Sequence, residues 1–256
     1  MSLLSISNLT HWFGGLRAVA DFNLELQPGE LMAIIGPNGA GKTTIFNLIT
    51  GVYRPTAGRV TLRGEDLIGK RSHEIISRGI ARTFQNIRLF KELSVLDNVR
   101  VAGYARSGYS PITALFHCGR FGSEEERTRR EALELLHVFD LDNVAESISK
   151  NLPYGQQRRL EIARALTTKP SLLLLDEPAA GMNPAEVERL MELILWIREE
   201  FQMTILLIEH QMRVVMGIAE RIKVLNFGET IAEGTPKEIQ NNPRVIEAYL
   251  GEEDAA

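Results

Sequence analysis

The chain has one cysteine in 256 residues, Cys118, so no intramolecular disulfide can form and no second thiolate is available to share a metal. A reducing compartment such as the cytoplasm is therefore expected. Long hydrophobic runs are also missing. Apolar residues make up 44%, but the longest stretches, Leu172 to Leu175 and Ile205 to Ile208, fall far short of the roughly 20 residues that cross a bilayer as a helix. The opening MSLLSISN has neither a basic flank nor a long apolar segment, and so does not read as a secretory signal. There is no excess of positive charge: a formal net charge of -4 argues against a nucleic-acid partner, which calls for a concentrated basic face. Internal repeats and low-complexity tracts are absent. Any role at a membrane must come through partners.

What is present is an alternation of strand and helix signals. Phe22, Leu24 and Leu26 alternate with polar residues before a Pro28-Gly29 turn, and Leu31 to Ile35 is a continuous apolar run, the mark of a strand buried on both faces. A glycine-rich loop follows, then a helical segment from Thr43 to Thr50, then strand spacing between Gly58 and Gly64. From Leu93 to about Thr168 helical patterns dominate. Ser123 and Glu126 have the spacing of a capping box ahead of the apolar stripe Ala132, Leu133, Leu136 and Phe139. The stretch 103–122, rich in Gly and aromatics, reads as an insertion. Strand character returns at Leu172 to Asp176. Asn183, Pro184 and Glu186 open a helix with Val187, Leu190, Met191, Ile194 and Ile197 on one face, and strands follow at Thr204 to Ile208, Ile222 to Leu225 and Thr230 to Ala232. Strands and helices on both sides of a helical block predict an α/β fold, with a mostly parallel sheet core in 1–92 and 169–256 and an inserted helical subdomain in 93–168.

Two motifs carry chemistry. Gly36-Pro37-Asn38-Gly39-Ala40-Gly41-Lys42-Thr43, continued by Thr44, fits G-x-x-x-x-G-K-[ST] between a strand and a helix. Glycines let successive amides turn toward an anion, the helix dipole adds positive potential, Lys42 brings a cation and the Thr43 hydroxyl can ligate Mg²⁺. A nucleoside triphosphate with Mg²⁺ is the expected ligand, and the resemblance described below makes it ATP. Leu172-Leu173-Leu174-Leu175-Asp176-Glu177 is a buried strand ending in two carboxylates; taken alone this could be a solvated strand end, but beside a phosphate loop Asp176 is placed to hold hydrated Mg²⁺ and Glu177 to polarise water.

The segment Leu152-Pro153-Tyr154-Gly155-Gln156-Gln157-Arg158-Arg159 resembles the signature sequence of ABC ATPases, usually written L-S-G-G-Q, with Pro153 in place of serine and Tyr154 in place of the first glycine. The resemblance extends over nearly the whole chain and implies the ABC ATPase fold, a P-loop sheet core with an antiparallel β subdomain and a helical subdomain. It implies that the signature loop, Leu152 to Gln156, grips the γ-phosphate of ATP bound to a partner subunit. It further implies that Gln85, in ARTFQ, contacts Mg²⁺ and the attacking water and links core to helical subdomain, and that His210 is the switch histidine bonding the γ-phosphate. Phe13, or Trp12 as second choice, occupies the place of the adenine-stacking aromatic, although a core aromatic is an equal reading. Ala180-Gly181-Met182-Asn183 stands in the place of the D-loop, with Asn183 for aspartate, and Gln211 departs from the aspartate usual after the histidine.

The runs NLPYGQQRRLEIARAL, EPAAGMNP, IEHQM and AEGTPKEIQNNPRVIEAYLGE, with the 103–122 insertion, are similar to one type of ATP-binding subunit of branched-chain amino-acid importers. That likeness implies a second ATPase subunit, two membrane permease subunits, indirectly a solute-binding protein, and a place on the inner face of the membrane. Because Pro153 offers neither a hydroxyl nor an NH to the partner's phosphate, a heterodimer is expected over a homodimer. A soluble ABC protein of translation or repair would bring a second ATPase unit, long coiled coils or zinc motifs, none of which are seen. A regulator that binds ATP without hydrolysis would have no use for Glu177.

Overall fold

The computed structural model describes residues 2–104 and 121–253, so most of the expected 103–122 insertion lies outside the described residues. Contacts divide the chain into two compact units, Met1–Arg82 with Ser171–Ala256, and Thr83–Pro170.

The first unit opens with β1 (Leu4–Phe13), β2 (Leu16–Leu26) and β3 (Leu31–Ile35), continues through helix α1 (Lys42–Ile49), β4 (Ala57–Leu62), β5 (Glu65–Asp66) and α2 (Ser72–Ser77), and reaches β6 (Ile80–Arg82). After the second unit it resumes with β7 (Leu172–Asp176), then β8 (Thr204–Ile208), β9 (Arg221–Asn226) and β10 (Glu229–Gly234). Strands β2, β1, β4 and β5 form an antiparallel sheet in that order. Along β2 the alternation seen in the sequence places Phe22, Leu24 and Leu26 inside.

The other sheet has the order β10-β9-β3-β8-β7-β6, parallel from β9 to β6, with β10 added antiparallel at one edge. Every residue of β3, β7 and β8 is buried, as their unbroken apolar runs predict for strands covered on both faces. The core gathers Leu4, Leu9 and Phe22 of the antiparallel sheet, Ile45 and Phe46 of α1, and Ile34, Leu174 and Leu206 of the parallel sheet. One helix thus serves both sheets, and its first residue is Lys42.

The register of the central strands positions the site. Ile34 of β3 lies opposite Ile208 of β8, and Ile208 lies opposite Asp176 of β7. The loops that leave these strands therefore emerge side by side at the carboxyl edge of the sheet, where α/β proteins bind ligands.

The second unit is built on α3 (Val95–Tyr104), α4 (Phe121–Val138) and α5 (Tyr154–Leu166), with Val99, Ala132, Leu136, Phe139, Leu160 and Ile162 buried. The predicted capping box is corrected here: α4 is already helical at Phe121, so Ser123 lies inside the helix and not at its N-cap. The change of character at Leu93 falls within this unit, whose first residue follows β6 directly. Back in the first unit, α6 (Pro184–Glu200) begins as expected. Asn183 Oδ1 accepts from the amides of Ala185 and Glu186 at 3.0 Å each, and the Glu186 carboxylate reaches back to the Asn183 amide at 3.0 Å. The helices α7 (Met212–Ile218), α8 (Pro236–Gln240) and α9 (Pro243–Glu253) follow in the first unit.

Candidate nucleotide-binding site

The phosphate loop, residues 36–43, joins β3 to α1. Gly36 has φ 148° and Gly41 has φ 96°, both outside what a side chain tolerates. A Cβ added at Gly36 would collide with the carbonyl oxygen of Leu225, and one at Gly41 with that of Ala18. Glycine is thus demanded by backbone crowding from β9 and β2 as well as by conformation. Pro37 and Ala40 are buried, while Asn38, Gly39 and Thr43 are exposed and Thr44 is half-buried. Lys42 Nζ, buried, donates to the carbonyls of Gly36 at 2.6 Å and Pro37 at 2.8 Å, which fixes the ammonium across the loop's concavity. Gly228, at the β9–β10 turn, donates its NH to the Ala40 carbonyl at 3.1 Å and supports the loop from outside.

Asp176 ends β7 and is buried against Arg82 of β6. Arg82 Nη2 donates to Asp176 Oδ2 at 2.7 Å, while Nη1 donates to Asn47 Oδ1 at 2.7 Å and Thr50 Oγ1 at 3.2 Å on α1. Both side chains of the pair are about as buried as core leucines, at 5% and 3% exposure. Arg82 therefore ties the acid of the strand to the helix of the phosphate loop. The sequence reading passed over it, because an arginine three residues before Gln85 has no motif of its own.

Glu177 sits at φ 45°, a left-handed conformation unusual for a residue with a side chain. Its amide donates to the Ile208 carbonyl at 2.8 Å, so β8 holds the strained turn in place. The Glu177 carboxylate is within 3.4 Å of His210 Nδ1, and the histidine is itself half-exposed. Beneath them lies Glu209, another residue that sequence reasoning missed. Fully buried, it accepts from the amides of Ala179 (2.9 Å), His210 (2.9 Å) and Gln211 (3.1 Å), while Gln211 Nε2 donates to the Ala179 carbonyl at 3.0 Å. The loop after Glu177 and the loop carrying His210 are thereby latched together. Gln211, noted as a departure from aspartate, takes part in that latch.

Phe13 ends β1 and is about half-exposed, as is Trp12. The Phe13 ring stands edge-on to His11 at 4.6 Å and to Tyr53 at 5.2 Å, whereas Trp12 faces Arg17 at 6.0 Å. Contact of Ala18 with Gly41 brings the β1–β2 ribbon to the phosphate loop. The structure thus brings residues 36–44, Asp176, Glu177 and His210 to one sheet edge of the first unit, while Phe13 packs on His11 and Tyr53 at the end of β1. Gln85 and the segment Leu152 to Gln156 belong to the second. There Pro153 is the N-cap of α5, its carbonyl accepting from the amides of Gln156 and Gln157 at 3.0 Å each, and Gln157 Nε2 donates to the Leu152 carbonyl at 2.8 Å.

The ABC transporter family model matches residues 19–180, and the branched-chain amino acid ATP-binding cassette transporter model matches residues 229–255. The chain belongs to the ABC transporter family. It is 48% identical over 250 residues to the high-affinity branched-chain amino acid transport ATP-binding protein LivG of Escherichia coli (strain K12), with 98% of each chain covered. It is 46% identical over 250 residues to the corresponding protein BraF of Pseudomonas aeruginosa, again with 98% of each covered. Among solved structures it resembles the ADP conformation of an ATP-binding cassette of an ABC transporter, with TM-score 0.85, 33% identity, and 98% and 99% of the two chains covered.

As a member of this family the chain binds ATP with Mg²⁺ and hydrolyses it. Its residues fit that ligand: a cradle with no room for Cβ at Gly36 or Gly41, a buried ammonium across it, and Thr43, an exposed residue bearing a hydroxyl. No helix among the described residues is long and apolar enough to cross a membrane.

Removing the Glu209 carboxylate leaves three amide donors without their acceptor. Glu209→Ala is expected to lower stability by about 3 kcal/mol, more than one lost hydrogen bond to a charged group, as read from the midpoint of denaturant unfolding. A midpoint equal to that of the parent protein would mean that the latch contributes nothing.

Proposed function

We propose that the chain energises import of branched-chain or related amino acids through separate membrane subunits. The carrying observation is the arrangement of one phosphate loop, two acids at the end of β7 and His210 at a single sheet edge, in a chain whose end, residues 229–255, matches the branched-chain amino acid model. The relatives named above are transport ATP-binding proteins for branched-chain amino acids, which supports the choice of solute.

In the proposed mechanism ATP lies along the phosphate loop, with Phe13, or failing it Trp12, against the adenine. Lys42 exchanges its carbonyl partners for phosphate oxygens. Thr43 and Asp176, and by the family resemblance Gln85, would hold Mg²⁺, which would neutralise charge that builds on the phosphate oxygens. Glu177 takes the proton of a water that attacks the γ-phosphorus, the bond to the bridging oxygen breaks, and ADP leaves with its charge stabilised by Lys42 and the loop amides. His210, within reach of Glu177, bonds the γ-phosphate and orients the carboxylate. The signature residues Leu152, Pro153, Tyr154, Gly155 and Gln156 face ATP on a second ATPase subunit. Two permease subunits, and through them a solute-binding protein, complete the assembly on the inner face of the membrane.

Pro153 bears on the composition of that assembly. As N-cap it contributes only a carbonyl, which is already used by Gln156 and Gln157, so it has no donor for a phosphate. Each lost hydrogen bond to a charged group weakens the grip by about 1.5 to 3 kcal/mol. A homodimer would carry this weakness at both sites, and a heterodimer at one.

Glu177→Gln is expected to keep ATP affinity while lowering hydrolysis by about two to four orders of magnitude, measured as phosphate release beside a binding titration; near-normal turnover would remove Glu177 from the mechanism. Cells lacking the chain should lose uptake of labelled leucine, isoleucine and valine. Unchanged uptake of all three would move the solute elsewhere. Light scattering with ATP and Mg²⁺ should find the purified chain mostly monomeric and slow to hydrolyse, with activity raised by its second subunit. A tight, fully active homodimer would exclude the heterodimer.

A further inference from the structure

At the end of β1 three rings of the first unit pack against one another. His11 and Tyr53 lie nearly parallel, their planes 7° apart and their centroids 5.7 Å apart. Phe13 stands almost perpendicular to both, at 88° to His11 with centroids 4.6 Å apart and at 82° to Tyr53 with centroids 5.2 Å apart. At such edge-on distances aromatic pairs attract by more than the area they bury. Phe13 is thus held by two rings while 43% of it stays exposed. Its neighbour Trp12 rests instead on Arg17, a long side chain that is also paired with Glu229.

His11 is buried, yet its Nδ1 is sealed from solvent with no hydrogen-bond partner among the described residues. A buried polar atom left unpaired costs stability, so the imidazole gains nothing from that nitrogen and acts through its flat ring. The cluster is tied to the phosphate loop along two routes. The Tyr53 amide donates to the Asn47 carbonyl at 3.1 Å, and Asn47 lies on α1, the helix that begins at Lys42. Phe13 pairs across the hairpin with Leu16, roughly 7 Å along β2 from Ala18, whose carbonyl oxygen crowds Gly41. The Phe13 ring is therefore set in orientation by its neighbours and in position by the loop that takes the phosphates. A side chain ordered before binding spares the ligand the entropy of ordering it.

We propose that His11 and Tyr53 are positioning residues that hold Phe13 in the orientation that stacks on the base of bound nucleotide, so that they set affinity for the base and not for the phosphates. This rests on the stacking role given to Phe13 under the proposed function.

Calorimetry of the intact chain with Mg²⁺ separates the two contributions, with ATP as one titrant and inorganic triphosphate as the other. Phe13→Ala should weaken ATP binding about tenfold or more and leave triphosphate binding unchanged. Tyr53→Leu and His11→Leu should each weaken ATP binding about threefold to tenfold, again with triphosphate unchanged. Tyr53→Phe and His11→Phe, which keep a ring, should bind ATP as the parent protein does. In a Phe13→Ala background Tyr53→Leu should add nothing, because a residue that acts through Phe13 has nothing left to position. Tyr53 lies at the surface, so its variants carry the test should His11→Leu fail to fold. Undiminished ATP affinity in Tyr53→Leu would overturn the proposal, as would an equal loss of triphosphate, a loss in Tyr53→Phe as large as in Tyr53→Leu, or a full further loss in the double variant. Parent-like ATP binding by Phe13→Ala would be a different failure, removing Phe13 from the base site itself.

Discussion

The site depends on three parallel strands ending in step. Ile34, Ile208 and Asp176 lie across from one another, and a slip of one strand by one residue would turn its side chains to the opposite face. Because β3, β7 and β8 are buried on both faces, such a slip would change the packing of every side chain in the strand. The phosphate loop, the paired acids and the turn at His210 inherit their positions from this register. Glu177 shows the consequence most directly: its left-handed backbone is tolerated because its amide is held by Ile208 of the adjacent strand.

Within each unit the chain buries charge. Arg82 with Asp176, Arg158 with Glu161, and Glu209 under three amides are each removed from water, and each would be costly if a partner were missing. Apolar replacements of similar volume would often be as stable. What an apolar pair could not do is fix direction. Arg82 sets the acid of β7 against α1, and Glu209 sets the loop of Glu177 against that of His210. In both cases the interaction joins a chemical group to the backbone segment that must not drift from it, which is how second-layer hydrogen bonds hold a reacting constellation.

Much of the chain's organisation was legible from residue order. Apolar runs announced the doubly buried strands, alternation announced β2, and the phosphate loop stood out because glycine spacing, Lys42 and Thr43 must occur together for backbone amides to surround an anion. The Asn183 cap was legible for the same reason, its partners being only two and three residues away. The start of α4 was misjudged, because Ser123 and Glu126 have the spacing of a cap but the helix already includes Phe121.

The buried charges were not legible. Arg82 meets Asp176 across 94 positions, Glu209 meets Ala179 across 30, and Arg158 meets Phe84 across 74. A charged residue at a strand end or on a helix reads as a solvated side chain until its burial is known, since nothing local distinguishes the two. Residue order alone was enough for the strand and helix inventory, the anion-binding loop and the order of the motifs, because these are properties of short stretches and their periods. Only the tertiary structure decided which charges lose water and which backbone groups they hold, because both are set by segments that meet after the sheet has formed.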